Sequence, residues 1–183
     1  MLKWLIRNRL AAFERAFAYD MSYAREILAA DTRAFLKFAK VMGMTSYRKD
    51  VPVDVYYAVK LAGTMAEDCG PCTQLMVTMA LRDGVAARTL STIVSGAPET
   101  DEVKLGIAFA KASLAHSPQA DPLREEIVRR WGPRALVSLA FALAGARIYP
   151  TLKYALGHGH ACQRVVVAGE AIQVRPAPEA TAA

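Results

Sequence analysis

Apolar residues recur at intervals of three and four along most of this chain, and this spacing constrains the fold more than any other feature. Between residues 2 and 17 the apolar positions are Leu2, Leu5, Ile6, Leu10, Phe13 and Phe17. That period is typical of an amphipathic helix. The same kind of spacing continues nearly to the end of the chain, so we predict an all-α fold.

Glycine, proline and capping residues predict where the remaining helices begin and end. The predicted helices after the first cover 22–43, 53–68, 73–83, 101–115, 121–131 and 135–156, the last with a kink at Pro150. Near the end the period changes to alternation, over 164–167 and 172–174 around Gly169. This pattern predicts a short C-terminal β-hairpin.

The length and composition fit one domain. The chain has 183 residues, of which 54% are hydrophobic and 22% charged, enough to bury a sizeable core. No internal repeat or linker divides it, so we predict a single helical-bundle domain over 1–175. The residues PAPEATAA suggest a disordered tail over 176–183.

The net charge of +6 is concentrated near the N-terminus. Residues 1–50 contain ten basic and five acidic residues, and the remainder is almost neutral. The first helix is a basic amphipathic one and could contact an anionic membrane surface or a partner chain; its relevant residues are Lys3, Trp4, Arg7, Arg9 and Arg15. We favour the interpretation that its apolar stripe packs on its own domain. No nucleic-acid-binding module accompanies the charge, so we predict no nucleic-acid partner.

Three cysteines in 183 residues argue against the disulfide framework of a small secreted domain and favour a cytoplasmic protein. The first ten residues lack the apolar core and cleavage site of a signal peptide. The longest uncharged apolar run covers twelve residues, 135–146, against about 20 needed to cross a bilayer. We therefore predict no membrane span.

The tetrapeptide Cys69-Gly70-Pro71-Cys72 is the most informative feature for function. Two thiols so spaced at a helix start can close a small disulfide and reopen it. A helix N-terminus favours the thiolate, which is the form that attacks disulfides and peroxides. In this geometry the first cysteine is usually the better exposed. The alternative is that both cysteines only pack as small apolar residues.

Zinc binding is a further alternative for the cysteines. His158, His160 and Cys162 lie within five positions, and together with Cys69 and Cys72 they offer ligand types that zinc accepts. The spacing matches no known zinc finger, so we favour a glycine-rich turn at 157–162. We predict no metal and no cofactor.

The residues around the motif carry a family resemblance. AVKLAGTMAED before it has helical spacing, unlike the strand that precedes CGPC in thioredoxins, and QLMVTMALRDGV after it forms a second helix ended by glycine. This arrangement, over 51–94, resembles the all-helical carboxymuconolactone decarboxylase and alkylhydroperoxidase AhpD-like family. The resemblance implies an AhpD-like bundle, a homo-oligomer and an antioxidant oxidoreductase of the peroxidase or disulfide-reductase kind.

The chain departs from the family in its proton relay. Tyr57, Pro71 and Met76 stand where the family has a glutamate, a histidine or tyrosine, and a histidine. Glu67 is the nearest replacement proton carrier, and Tyr57 could offer a phenol to the thiols. Each also fits a structural interpretation, Glu67 as a solvated helix end and Tyr57 as a core-edge residue.

Cys69, Cys72, Glu67 and Tyr57 are therefore the candidate catalytic residues. The working hypothesis is a thiol–disulfide redox protein that reduces a disulfide or peroxide substrate or relays electrons to a partner protein. The alternatives are a non-catalytic helical oligomer with structural cysteines and a Cys/His zinc protein. The sequence leaves open which cysteine attacks first.

Overall fold

The computed structural model describes residues 1–159 and 164–174. Within them the chain forms nine helices and one β-hairpin, so the predicted all-α fold with a short hairpin is confirmed. The elements are α1 (Leu2–Phe17), α2 (Ser22–Ala30), α3 (Thr32–Thr45), α4 (Val53–Ala66), α5 (Gly70–Arg82), α6 (Ala87–Val94), α7 (Asp101–Leu114), α8 (Ala120–Trp131), α9 (Pro133–Ala155), β1 (Arg164–Val167) and β2 (Glu170–Gln173). The tail predicted over 176–183 lies outside the described residues.

The predicted helix boundaries hold for α1 and are wrong for the next segment. One helix was expected over 22–43, but Asp31 adopts an extended backbone and divides it into α2 and α3. Its carboxylate accepts a hydrogen bond from the Arg33 amide at 2.8 Å, which caps α3. Gly43 does not end that helix, which continues to Thr45. The short helix α6 was not predicted.

Helix α4 lies at the centre of a bundle formed by α4–α9, and it packs against α5, α7 and α9. Its buried side chains belong to the larger of two core clusters, with Val55, Val59 and Leu61 fully buried. Gly63 sets the approach of α9, because a Cβ at that position would lie 2.6 Å from the Cβ of Ala146. This close packing fixes the position of the turn that follows α4.

Helices α1–α3 form a second layer, here called the N-terminal layer, with its own core cluster. That cluster contains Ile6, Leu10, Tyr19, Met21, Tyr23, Ala24, Leu28 and Phe35. The expectation that the apolar stripe of α1 packs on its own domain holds only in part. Ile6 and Leu10 are buried, whereas Leu2 and Leu5 are about half exposed.

Helix α9 has the length and apolarity of a membrane-spanning segment, with a mean hydropathy of 1.5 over 18 residues. In this structure it packs against α3, α4 and α8, and 44% of that window is buried. A core helix passes the same test of length and composition. The helix is longer than the apolar run 135–146 because Arg147 and Lys153 interrupt the run without ending the helix.

The C-terminal hairpin is held against α5. Its strands pair antiparallel, with Val165 opposite Ile172, around a turn at Ala168 and Gly169 that both have positive φ. The Gln74 side chain bonds the backbone of Val166 in both directions, at 3.0 and 2.7 Å. The hairpin therefore covers one side of the helix that carries the cysteine motif.

Candidate functional site

The two cysteines of the motif lie at the start of α5 and are joined by a disulfide. Cys69 is the N-cap residue and Cys72 lies in the first turn, with their Cα atoms 5.3 Å apart. Asp68 has a φ of 47°, and this left-handed residue turns the chain from α4 into α5. The predictions that the pair lies at a helix start and can close a small ring are confirmed.

The two sulfurs differ in access, opposite to the sequence-based expectation. Cys69 is fully buried, and its carbonyl accepts hydrogen bonds from the amide and hydroxyl of Thr73 at 2.9 and 3.0 Å. Cys72 is only 3% exposed, but it lines a partly open cavity. The expectation that the first cysteine is the better exposed is wrong here, because the turn directs Cys69 into the protein.

A tyrosine and a lysine that the sequence analysis missed lie beside Cys72. The Tyr19 hydroxyl is 3.7 Å from the Cys72 sulfur, and Lys153 donates a hydrogen bond of 3.5 Å to the same hydroxyl. Because the disulfide sulfur carries no proton, the Tyr19 hydroxyl is the donor in this contact, and it also shares a hydrogen bond with Tyr23. Lys153, Tyr19 and Cys72 thus form a chain from a cation to the disulfide.

Lys153 is buried almost completely, at 2% exposure, which is unusual for a lysine. Its amino group lies 4.8 Å from the ring centroid of Tyr19 and 5.6 Å from that of Tyr23, within the range of cation–π contacts. Burial lowers the pKa of Lys153, and the nearby Asp20 carboxylate opposes this. Burial also raises the pKa of Tyr19 to about 12, so its hydroxyl stays protonated and can donate.

Tyr57, one of the predicted site residues, lies away from the thiols. Its hydroxyl donates a hydrogen bond of 2.7 Å to Asp83, just beyond the C-terminus of α5. Cys72 lies in the first turn of that helix, so the two places are about 16 Å apart at 1.5 Å per residue. Burial is the main cause that raises the pKa of Tyr57, and this hydrogen bond to a carboxylate raises it further.

Glu67 lies two residues before Cys69 but is bound to another helix. Its carboxylate accepts a hydrogen bond of 2.5 Å from the Arg147 guanidinium on α9. The Tyr154 hydroxyl, also from α9, donates to the Asp68 carbonyl at 3.0 Å. These contacts hold the turn before the disulfide against α9, which is a positioning role.

The cavity has a volume of about 650 Å³ and lies between the N-terminal layer and the bundle. The stripe of α5 that faces it consists of Cys72, Leu75, Met76 and Met79, which recur at helical spacing. Aromatic and aliphatic side chains of α1 and α3 form much of the opposite wall. A volume of this size is large enough for a small organic molecule, and Cys72 lines it whereas Cys69 does not.

Within 1–159 and 164–174, no group of three or more Cys, His, Asp and Glu side chains could hold a metal ion. Cys69 and Cys72 are bonded to each other, and His158 contacts Glu26 at 2.7 Å. His160 and Cys162, the other predicted zinc ligands, lie outside the described residues.

Comparison with protein families, curated proteins and solved structures found no match to this chain. The family resemblance, the homo-oligomer and the cytoplasmic location therefore stay predictions.

Proposed function

We propose that this chain is a thiol–disulfide redox protein in which Cys72 meets the substrate and Cys69 resolves the intermediate. The observation that carries the proposal is that Cys72 lines an apolar cavity and its sulfur lies beside the Tyr19 hydroxyl, which is hydrogen-bonded to Lys153. The structure contains the pair in its oxidised form. The helical hairpin α4–α5 around CGPC supports assigning the chain to the AhpD-like family as a diverged member.

In the reduced protein, the Cys72 thiolate attacks one sulfur of a substrate disulfide. A mixed disulfide with Cys72 forms, and the other substrate sulfur leaves as a thiolate that takes up a proton. The Cys69 thiol then loses its proton and attacks the Cys72 sulfur, which restores the ring and releases the second substrate thiol. Two protein thiols are oxidised for each substrate disulfide reduced, and an external dithiol returns the pair to its reduced form.

Tyr19 and Lys153 stabilise the Cys72 thiolate in this scheme. A hydroxyl that donates to an anionic sulfur makes a charge-assisted hydrogen bond, and the Lys153 cation strengthens it by polarising Tyr19. The N-terminus of α5 adds its own favourable dipole. These groups take the place of the family's proton relay, whose usual positions hold Tyr57, Pro71 and Met76 in this chain.

The test is the pH dependence of thiol alkylation in the reduced protein, on a Cys162→Ser background. We expect the faster thiol to be Cys72, with an apparent pKa below 8.5. Tyr19→Phe should raise that pKa by about one unit, since hydrogen bonds to charged groups contribute about 1.5 kcal/mol or more. Lys153→Met should act in the same direction.

The matched controls are Tyr47→Phe, which changes a tyrosine that packs on Phe141, and Lys104→Met on α7. Both should leave the alkylation profile unchanged. If neither thiol reacts faster than an unperturbed thiol and the pair never forms an intramolecular disulfide, the redox proposal fails.

The second candidate is a structural disulfide in a non-catalytic helical protein. The burial of both sulfurs favours it, because the bond then only closes the turn between α4 and α5. It predicts that mild reductants leave the bond intact in the folded protein. It also predicts that Tyr19→Phe does not change the reduction potential.

A further inference from the structure

Lys60 is a cationic side chain on the wall of the cavity, which Arg9 also lines. Its amino group lies 4.6 Å from the ring centroid of Tyr56 and 5.5 Å from that of Tyr57. In the part of the chain that the structure describes, no hydrogen bond or ion pair holds this amino group. The cavity therefore contains an apolar wall with one partly buried, unpaired ammonium group.

The stripe of α5 sets the distance between Lys60 and the disulfide. Lys60 is close to Tyr57, whose hydroxyl is bound to Asp83 beyond the end of α5. Cys72 lies at the beginning of that helix, and Met79 is seven residues further along the same wall. At 1.5 Å per residue, the apolar stretch from Cys72 to Met79 is about 10 Å long.

The surroundings of Lys60 suit an anion. Burial lowers its pKa to about 8, and Asp83 opposes this without bonding to the amino group. Tyr56 and Tyr57 on its own helix contact the amino group, the positive charge of Arg48 acts on both tyrosines, and Arg9 also lines the cavity. An anion that entered the cavity would therefore meet cations and apolar side chains, and contact with it would offset the desolvation of the ammonium group.

We propose that the cavity binds a single-chain carboxylate, with the carboxylate at Lys60 and the apolar chain lying along α5 towards Cys72. The length of the apolar stripe matches a medium-chain carboxylate, and the flexible side chains of Met76 and Met79 adapt to such a chain. Binding needs no thiol chemistry, so this site goes beyond the redox function and stands or falls separately from it.

The probe is decanoate, titrated by calorimetry into the full chain with its disulfide intact, at neutral pH. We expect saturable binding at one site, at least tenfold tighter than that of 1-decanol, because only the carboxylate pairs with Lys60. Lys60→Met should weaken decanoate binding about tenfold or more and leave 1-decanol binding unchanged. Lys104→Met, at an exposed position on α7, is the matched control and should change neither.

Three outcomes would overturn the proposal. Wild-type protein that binds no decanoate has no such site. Equal affinity for decanoate and 1-decanol shows that no cation contributes, and this comparison holds even where Lys60→Met fails to fold. Loss of decanoate binding in Arg9→Met but not in Lys60→Met places the carboxylate at the cavity rim instead.

Discussion

The bundle and the N-terminal layer are both helical, yet they are packed to different degrees. In the bundle, Val59 and Leu61 of α4 are fully buried, and Gly63 lets α9 approach closely. In the N-terminal layer, Trp4 is 65% exposed and Met42 52% exposed, although both are large apolar residues. The layer also belongs to the segment that holds most of the net positive charge.

The cavity lies where these two kinds of packing meet. One wall belongs to the bundle, including the first turn of α5, while the facing wall belongs to the less completely packed layer. Tyr19 comes from the layer, whereas Cys72 and Lys153 come from α5 and α9. The disulfide at this boundary therefore has tightly packed helices on one side and the cavity on the other.

The largest effect should come from removing core volume in the bundle. Leu139 on α9 is fully buried, so Leu139→Ala should lower the free energy of unfolding by about 2–5 kcal/mol. Leu36→Ala, in the N-terminal layer and 43% exposed before the change, should cost about 0.5 kcal/mol or less. Urea unfolding measures both. Equal losses would show that the two regions are packed alike.

A smaller effect should come from Lys60, at the boundary. Its folded pKa of about 8 lies below its usual value of 10.5, so the unfolded chain binds more protons between these values. The free energy of unfolding should therefore rise by about 2 kcal/mol from pH 8 to pH 10 through this group. Above pH 10 the raised pKa of Tyr19 lowers the free energy of unfolding, because the folded chain then binds more protons than the unfolded chain.

Lys60→Met should flatten that rise when urea unfolding is repeated across the same pH range. Lys153, whose pKa burial also lowers, accounts for what remains of the slope. A slope that persists unchanged in Lys60→Met would mean that water reaches its amino group freely.

The smallest effects should come from two ion pairs, one in each region. Glu67–Arg147 joins the turn before α5 to α9, and Glu14–Arg25 joins α1 to α2. Both are partly exposed, so double-mutant cycles with urea unfolding should give couplings of about 1 kcal/mol or less. A much larger coupling energy in one pair alone would show that the stability of the region containing that pair depends more on electrostatic interactions than that of the other region.

Glu67→Gln also tests the proton carrier suggested by the sequence. Because Arg147 holds the carboxylate on α9, the alkylation rate of reduced Cys72 should stay unchanged. A clear fall in that rate would restore Glu67 to the chemical step.

The sequence predicted those features that depend on local patterns. The bounds of α1 follow from periodicity, and the hairpin follows from alternation around Gly169. The division at Asp31 was missed because apolar spacing continues across it, and only its side-chain bond to the Arg33 amide shows a cap. Helix α6, with eight residues, is too short to establish a period.

The site was half predictable for the same reason. Cys69 and Cys72 are three residues apart and form their pair locally. Tyr19 is 53 residues from Cys72, and Lys153 is 134 residues from Tyr19, so only tertiary packing brings them together. The one available signal was a lysine within the long apolar helix α9. Tyr57 fits the core-edge alternative, and helical spacing alone could not show that its hydroxyl reaches the far end of α5.

The thioethers of Met76 and Met79 share the cavity wall with Cys72. Methionine is itself oxidised by peroxides, and its sulfoxide is polar and persists until a dedicated reductase removes it. An oxidant admitted to this cavity therefore meets two sulfur atoms that the cysteine pair cannot regenerate. Each sulfoxide would place a polar oxygen on the cavity wall. Mass spectrometry would still detect this oxidation after the disulfide between Cys69 and Cys72 had been reduced.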